Sequence, residues 1–97
     1  MKRKAETFSR WDAADHLHSE EDIVAYLQAC ANEDDPQLMI AALGDVARAR
    51  GIMELAQQTG LTRMGLYKAL SGEGNPSYAT VAKVAHALGL KISVSGA

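Results

Sequence analysis

Residues 62–68, TRMGLYK, place a hydroxyl, a guanidinium and an ammonium group within two turns of a predicted helix. An arginine side chain can donate two hydrogen bonds to a guanine edge, while lysine and hydroxyl groups bind phosphate oxygens. We therefore expect Thr62 and Arg63 to reach base edges, and Lys68 and Ser71 to contact the DNA backbone. The candidate contact residues in and just after this stretch are Thr62, Arg63, Met64, Gly65, Tyr67, Lys68 and Ser71.

Two short helices joined by a tight turn, over residues 53–71, are needed to position these side chains. Ala56 is small enough for a second helix to cross nearby, and Gly60 suits a turn position with positive φ. Leu66 and Leu70 then fall on the inner face of the second predicted helix, Arg63–Leu70. This is the helix-turn-helix pattern, whose second helix can enter the major groove of DNA.

Some of these side chains also have a purely structural interpretation. Thr62 can cap the second helix, and this role is compatible with a base contact. Gly65 costs about 1 kcal/mol relative to alanine inside a helix, so either it permits close approach to DNA or its cost is tolerated. Tyr67 either contacts phosphate through its hydroxyl group or packs in the core. The sequence leaves these alternatives open.

Capping signals predict three further helices. Ser19 followed by three acids is typical of a helix start, and this helix should continue to about Glu33. Asp35–Pro36 begins the next helix, which Gly51 ends. The last helix should begin after Ser77 and continue to about residue 88. Since apolar positions cover much of its circumference, the helix over 36–50 should be central.

The tail Leu90–Ser95 alternates between apolar and polar residues, which predicts one strand. A single strand must pair with something outside its own helices, and a two-fold copy of the chain is the simplest partner. We therefore expect a homodimer with contacts through Ile92 and Val94. The predicted fold class is all-α, with five helices and a short C-terminal β-strand over 90–95. Residues 1–18 are expected to be extended or mobile, and residues 19–97 to form one domain.

The net charge of −2 conceals a strong segregation along the chain. Residues 11–47 hold nine acids and no Lys or Arg, whereas residues 48–97 hold six Lys or Arg and two Glu. The basic half suits phosphate contact, and the acidic half suits a basic protein or simply keeps the chain well solvated. Arg48 and Arg50 end a predicted helix, where they either complement its dipole or contact phosphate.

Other classes of function find little support in the sequence. We see no nucleophile–base pair, no phosphate-binding loop and no metal set, so we expect neither an enzyme nor a bound cofactor. His16 and His18 have no third ligand at a suitable spacing. No apolar run reaches the length of a membrane span, and no hydrophobic segment follows the charged N-terminus. Cys30 suits a small buried group in a reducing compartment, so we expect a cytoplasmic protein.

With these residues in view, the chain resembles Xre-type, lambda-repressor-like helix-turn-helix proteins over about residues 47–90. The shared features are LAQQTGLTRMGLYKALSG, then NPS, then a helix that ends in LGL. It resembles more closely the addiction-module antidote proteins, or HigA-like antitoxins. The segments that carry this likeness are DAADHL at 12–17, SEE at 19–21, ALGDVARARG at 42–51, TGLTRMGLYKALS at 59–71 and GNPS at 74–77.

The resemblance implies an antitoxin that neutralises a small basic RelE/HigB-like toxin and represses its own operon by binding double-stranded operator DNA as a dimer. It also implies phosphate contacts from Asn75 and Ser77, whose other interpretation is turn formation and capping. Many relatives have Ser/Thr-Gln where this chain has Met53-Glu54, and Glu54 would repel a phosphate. The candidate toxin-facing residues are Trp11, Asp12, Asp15, Leu17, Glu20, Glu21 and Tyr26.

Two alternatives remain open. The chain could be an Xre-type transcriptional regulator without a toxin partner. A basic protein of roughly 100 residues encoded beside it, a size that the resemblance implies, would argue against this alternative. Alternatively, it could be a protein-interaction module that has lost DNA binding, which salt-dependent binding to its own promoter would exclude.

Overall fold

A computed structural model describes residues 17–71 and 74–96, and the secondary structure within them is helical. The helices are α1 (Glu20–Ala31), α2 (Pro36–Arg50), α3 (Ile52–Thr59), α4 (Arg63–Ala69) and α5 (Tyr78–Ala87). The all-α prediction with five helices is therefore confirmed over this part of the chain. None of these helices has the length and apolarity to cross a membrane.

The predicted capping residues begin four of the helices. The side chains of Ser19 and Asp35 accept hydrogen bonds from backbone N–H groups in the first turns of α1 and α2, at 3.0 Å from Asp22 N and 3.1 Å from Gln37 N. Thr62 and Ser77 do the same for α4 and α5. These contacts satisfy backbone donors that no helical carbonyl can reach.

α1 ends two residues before the predicted position. Asp34 adopts a left-handed conformation with φ of 56°, and the chain turns there into the cap of α2. A short aspartate tolerates this conformation better than most residues because its side chain is small and polar. Gly51, with φ of 112°, ends α2 and directly precedes α3.

α2 is the central helix, as its apolar composition predicts, because all seven residues from 41 to 47 are buried. The five helices enclose one hydrophobic core, to which α2 contributes Ala42, Leu43, Val46 and Ala47 from its middle and C-terminal part. Ile23, Val46, Leu66 and Val84 each expose 1% or less of their surface, so every helix except α3 contributes a fully enclosed side chain. From α3, Leu55 is buried at 3%.

Gly44 lies where α2 packs against the residue that follows α4, Leu70. A Cβ atom at this position would lie 2.5 Å from the carbonyl oxygen of Leu70, far inside van der Waals contact. The neighbouring atom belongs to the backbone, so no change of rotamer can make room. A glycine at residue 44 therefore sets the distance between α2 and α4.

The predicted C-terminal strand is wrong for the described residues, in which no strand is present. The segment after α5 has no regular structure, and Ile92 and Val94 expose 43% and 94% of their surfaces. The alternating pattern is a local signal, but a strand forms only when a second backbone accepts its hydrogen bonds. No described segment provides such a backbone.

Candidate nucleic-acid interface

The turn between α3 and α4 is fixed by backbone and side-chain hydrogen bonds. Gly60 adopts φ of 78°, as its position predicts, and its N–H donates to the carbonyl of Ala56 at 2.9 Å. The buried Thr59 hydroxyl donates to the carbonyl of Leu55 at 2.8 Å and accepts from the N–H of Leu61 at 3.2 Å. This hydroxyl therefore joins the last turn of α3 to the first residue after the turn.

Thr62 is the N-cap of α4, and its side chain forms the cap. Its Oγ1 accepts a hydrogen bond from the N–H of Gly65 at 2.9 Å. A Cβ atom at residue 65 would lie 3.0 Å from the same oxygen. Glycine thus leaves room for a close cap, which is a structural reason for its place in the helix. A contact of Gly65 or Thr62 with DNA stays a prediction.

α4 turns one apolar edge inward and one polar edge outward. Leu66 and Leu70 are buried, whereas Met64 and Tyr67 expose 76% and 52% of their surfaces and Arg63 and Lys68 are exposed. The exposed positions 63, 64, 67 and 68 are spaced so that they share one face of a helix. We call this set, Arg63, Met64, Tyr67 and Lys68, the α4 stripe.

Arg48 lies beside the α4 stripe and is partly neutralised. A crevice of about 240 Å³ is lined by Arg48 of α2 together with Tyr67 and Ser71. The Arg48 guanidinium donates to Asp45 Oδ1 at 2.5 Å, and its side chain remains 32% exposed. Arg50, two residues further on, is exposed. Because Arg48 is paired with Asp45, Arg50 is the stronger candidate for a phosphate contact.

Asp45 is completely buried and holds two helices together. It accepts a hydrogen bond from the Tyr26 hydroxyl of α1 at 2.7 Å, in addition to the one from Arg48. Two charge-assisted hydrogen bonds offset the cost of burying a carboxylate. The sequence pattern indicates only the charge of Asp45, because Tyr26, its hydrogen-bond partner on α1, lies 19 residues away.

Tyr26 and Cys30, one turn apart on α1, both have raised pKa values. Burial and then the hydrogen bond to Asp45 raise the pKa of Tyr26 far above its ordinary 10.0. Burial raises the pKa of Cys30 above 9.0, and the neighbouring Tyr26 side chain opposes that increase. A thiol of this kind stays protonated at neutral pH and is a poor nucleophile, which agrees with its interpretation as a small apolar group.

The stability of the fold is expected to decrease above about pH 9 because of these two groups. Below their ordinary pKa values both are protonated in the folded and the unfolded chain, so their contribution is constant. As the pH rises through 9.0 and 10.0, the unfolded chain releases the protons first and is favoured. Urea unfolding at a series of pH values from about 8 to 11 measures this slope.

Matched tyrosine variants test the assignment. Tyr26→Phe should reduce the pH dependence of unfolding above about pH 10, whereas Tyr78→Phe, at a side chain that is 69% exposed, should leave it unchanged. Equal slopes in the wild type and the Tyr26→Phe variant would contradict the shift at Tyr26.

The remaining candidate DNA contacts lie in the loop and cap before α5. Asn75 is exposed, and the Ser77 hydroxyl accepts from the N–H of Thr80 at 3.2 Å. Ser77 therefore caps α5. Its possible phosphate contact stays a prediction, as do those of the α4 stripe and Ser71. Glu54 is exposed in the first turn of α3, where an acid stabilises the positive end of a helix that has no side-chain cap.

The candidate toxin-facing residues divide into three groups. Glu20 and Glu21 are exposed in the first turn of α1. Leu17 is 6% exposed within the core, and the Tyr26 hydroxyl is engaged by Asp45, so the structure gives these two side chains internal positions. The rest lie outside the described residues, namely Trp11, Asp12 and Asp15.

Within residues 17–71 and 74–96, no three His, Cys, Asp or Glu side chains are grouped as metal ligands would be. His16 lies outside these ranges.

Comparison with known proteins assigns a family. Residues 7–96 match the family described as "Probable addiction module antidote protein". The chain is also 51% identical to an uncharacterized protein of Haemophilus influenzae over 89 aligned residues. These residues make up 92% of each of the two chains. No solved structure matches this chain. A match that spans nearly the whole sequence, including the described helices, shows that the chain belongs to the family of probable addiction module antidote proteins.

Proposed function

We propose that this antidote protein neutralises a RelE/HigB-like toxin and also binds double-stranded operator DNA as a homodimeric autorepressor in the cytoplasm. Membership of an antidote family implies a toxin partner. The DNA-binding part of the proposal rests on the α4 stripe. It involves no catalysis and no cofactor.

The α4 stripe has the composition and support that a recognition helix needs. Arg63 and Lys68 supply cations, and Met64 and Tyr67 supply apolar surface for base edges and sugars. Leu66 and Leu70 anchor the opposite face of α4 in the core. The cap at Thr62 and the bonded turn before it fix the start of the helix, so little conformational entropy would be lost on binding.

A homodimer is the binding unit that this geometry favours. One α4 stripe covers only a few base pairs, and helix-turn-helix proteins commonly read two half-sites with two copies. Two copies of α4 separated by one DNA turn would be roughly 34 Å apart. The dimer does not require the strand that the structure lacks, and its formation is measurable by light scattering.

Arg63→Ala is expected to weaken binding to the promoter of the chain's own gene by roughly five- to 150-fold per half-site, about 1–3 kcal/mol. The reason is the loss of a bidentate contact to guanine. Fluorescence anisotropy with labelled promoter DNA measures the affinity. Folding should be unaffected, since Arg63 is exposed and the cap is formed by Thr62.

Lys83→Ala provides the matched control, because Lys83 is an exposed cation on α5 outside the helix-turn-helix. This variant should bind promoter DNA within about twofold of the wild type. Both variants should retain toxin binding. Equal affinities for Arg63→Ala and Lys83→Ala would show that α4 is not the reading helix.

A second function, an interaction module without DNA binding, is favoured by two observations. Glu54 is exposed beside the helix-turn-helix, and Asp45 already neutralises part of the charge of Arg48. The two functions differ in salt dependence, because several phosphate contacts make affinity fall steeply between about 50 and 200 mM salt. A promoter affinity that does not change with salt would favour the interaction module.

A further inference from the structure

An apolar cleft lies between α1, α2, α5 and the segment after α5. Its volume is about 390 Å³. Val24 and Gln28 line it from α1, Tyr78 from α5 and Ile92 from the C-terminal segment, with Leu43 of α2 at its base. The cleft is therefore built from elements that come together only in the folded chain.

The rim of this cleft exposes large apolar side chains. Val24, Tyr78 and Ile92 are 36%, 69% and 43% exposed. Single exposed apolar residues are ordinary, but a group around one cleft is typical of a surface that binds a partner. Its described lining includes no residue of α3 or α4, so this surface is separate from the α4 stripe.

The surface next to the cleft is acidic. Val24 and Gln28 also line a neighbouring depression on α1 together with Glu20 and Glu21. Residues 17–47 contain no Lys or Arg, so no cation from α1 or α2 before Arg48 offsets these carboxylates. Lys91, in the segment after α5, is the cation that lines the cleft itself among the described residues. Apolar and acidic surfaces are thus continuous along α1.

We propose that this cleft is the docking site for the toxin, and that it accepts a toxin segment whose apolar side chains are flanked by Lys or Arg. The apolar groups would enter between Val24, Tyr78 and Ile92, while the cations would lie against Glu20 and Glu21. Charge complementarity identifies the occupant, since a second copy of this acidic face would be repelled. The inference rests on the antidote role in the proposed function.

Because the cleft and the α4 stripe share no described residue, the proposed docking site allows the toxin and DNA to bind one chain at the same time. The antidote would therefore remain on its operator when it carries the toxin. This places toxin neutralisation on the face formed by α1 and α5, and operator binding on α4.

Val24→Lys tests the proposal, with Ala29→Lys as its control. Both residues are exposed on α1, but Ala29 lines neither the cleft nor the depression. The probe is the purified toxin encoded beside the gene for this chain, titrated by calorimetry. We expect about tenfold weaker toxin binding for Val24→Lys, from a lost apolar contact and a repelling charge, and unchanged binding for Ala29→Lys.

Two further measurements complete the test. Promoter binding should be unchanged in both variants, and a preformed complex of the wild-type chain with toxin should still bind promoter DNA. Equal toxin affinities for the two variants, or expulsion of DNA by the toxin, would overturn the docking site while the proposed function stands. A loss of dimer in light scattering for Val24→Lys would assign the cleft to a second copy and overturn the proposal. If the wild-type chain binds no toxin, the proposed antidote function fails, and the docking site fails with it.

Discussion

Replacing Asp45 with alanine is expected to lower the free energy of unfolding by about 3 kcal/mol, because it removes the acceptor of two hydrogen bonds inside the core. The Tyr26 hydroxyl, which is half-buried, would lose its partner, and the Arg48 guanidinium would lose its counter-charge. Arg48 is 32% exposed and can regain some hydration, so the loss at Tyr26 should be the larger part. Urea unfolding at neutral pH measures the change.

Variants of the partners separate these contributions. Asp45→Asn retains one oxygen acceptor and should be less destabilising than Asp45→Ala. Tyr26→Phe removes one donor and should cost less than Asp45→Ala, about 1–2 kcal/mol. Arg48→Met leaves the fully buried carboxylate without its cation and should cost about as much as Asp45→Ala. A double-mutant cycle between Tyr26→Phe and Asp45→Ala should give a coupling energy of at least about 0.5 kcal/mol. Additive effects in this cycle would contradict the network.

Asp45→Ala also has a consequence for the candidate interface. Arg48 lines the crevice beside Tyr67 and is held in place by Asp45. Asp45→Ala releases this guanidinium and removes its counter-charge, so the surface beside α4 becomes more positive. At temperatures where the variant is still folded, its affinity for DNA should therefore not decrease.

Gly44→Ala is expected to destabilise the fold by about 3 kcal/mol, although intrinsic helix propensity alone favours alanine by about 1 kcal/mol. The new Cβ atom would lie 2.5 Å from the backbone carbonyl oxygen of Leu70, so α2 and the end of α4 must separate. Since Leu70 directly follows α4, the helix that carries the α4 stripe, this displacement should also weaken promoter binding. Thermal unfolding and fluorescence anisotropy measure the two effects.

Ala49→Gly is the control on the same helix. Ala49 is exposed near the end of α2, so this change should follow propensity and cost about 1 kcal/mol or less. Because helix propensity favours alanine over glycine, a loss of stability in Gly44→Ala would then have a steric cause. A more stable Gly44→Ala variant would mean that α2 and α4 are further apart than the structure shows.

Much of the fold was predictable because its signals act over three or four residues. Ser19, Asp35, Thr62 and Ser77 each cap the helix that the sequence assigns to them, through hydrogen bonds that span two or three residues. Gly60 adopts the positive φ that its place in the turn requires. Leu66 and Leu70 are buried as the spacing of apolar residues predicts.

The predictions that were wrong or incomplete all depended on distant partners. The alternating tail predicted a strand, but no described backbone lies beside it to accept its hydrogen bonds. Tyr26 was grouped with the toxin-facing candidates, and only the structure shows that its hydroxyl is bound to Asp45; its contact with a toxin stays a prediction. The apolar cleft was not foreseen, since its walls come from three helices and the tail.

The sequence by itself determined where the helices begin, which of their faces are apolar and which family the chain resembles, because these depend on neighbours along the chain. Only the tertiary structure decided that Asp45 belongs inside, that residue 44 has no room for a Cβ atom, and that Val24, Tyr78 and Ile92 surround one cleft. These properties depend on which helices pack together and at what distance. The residue pattern of a single helix specifies neither its packing partner nor the distance to that partner.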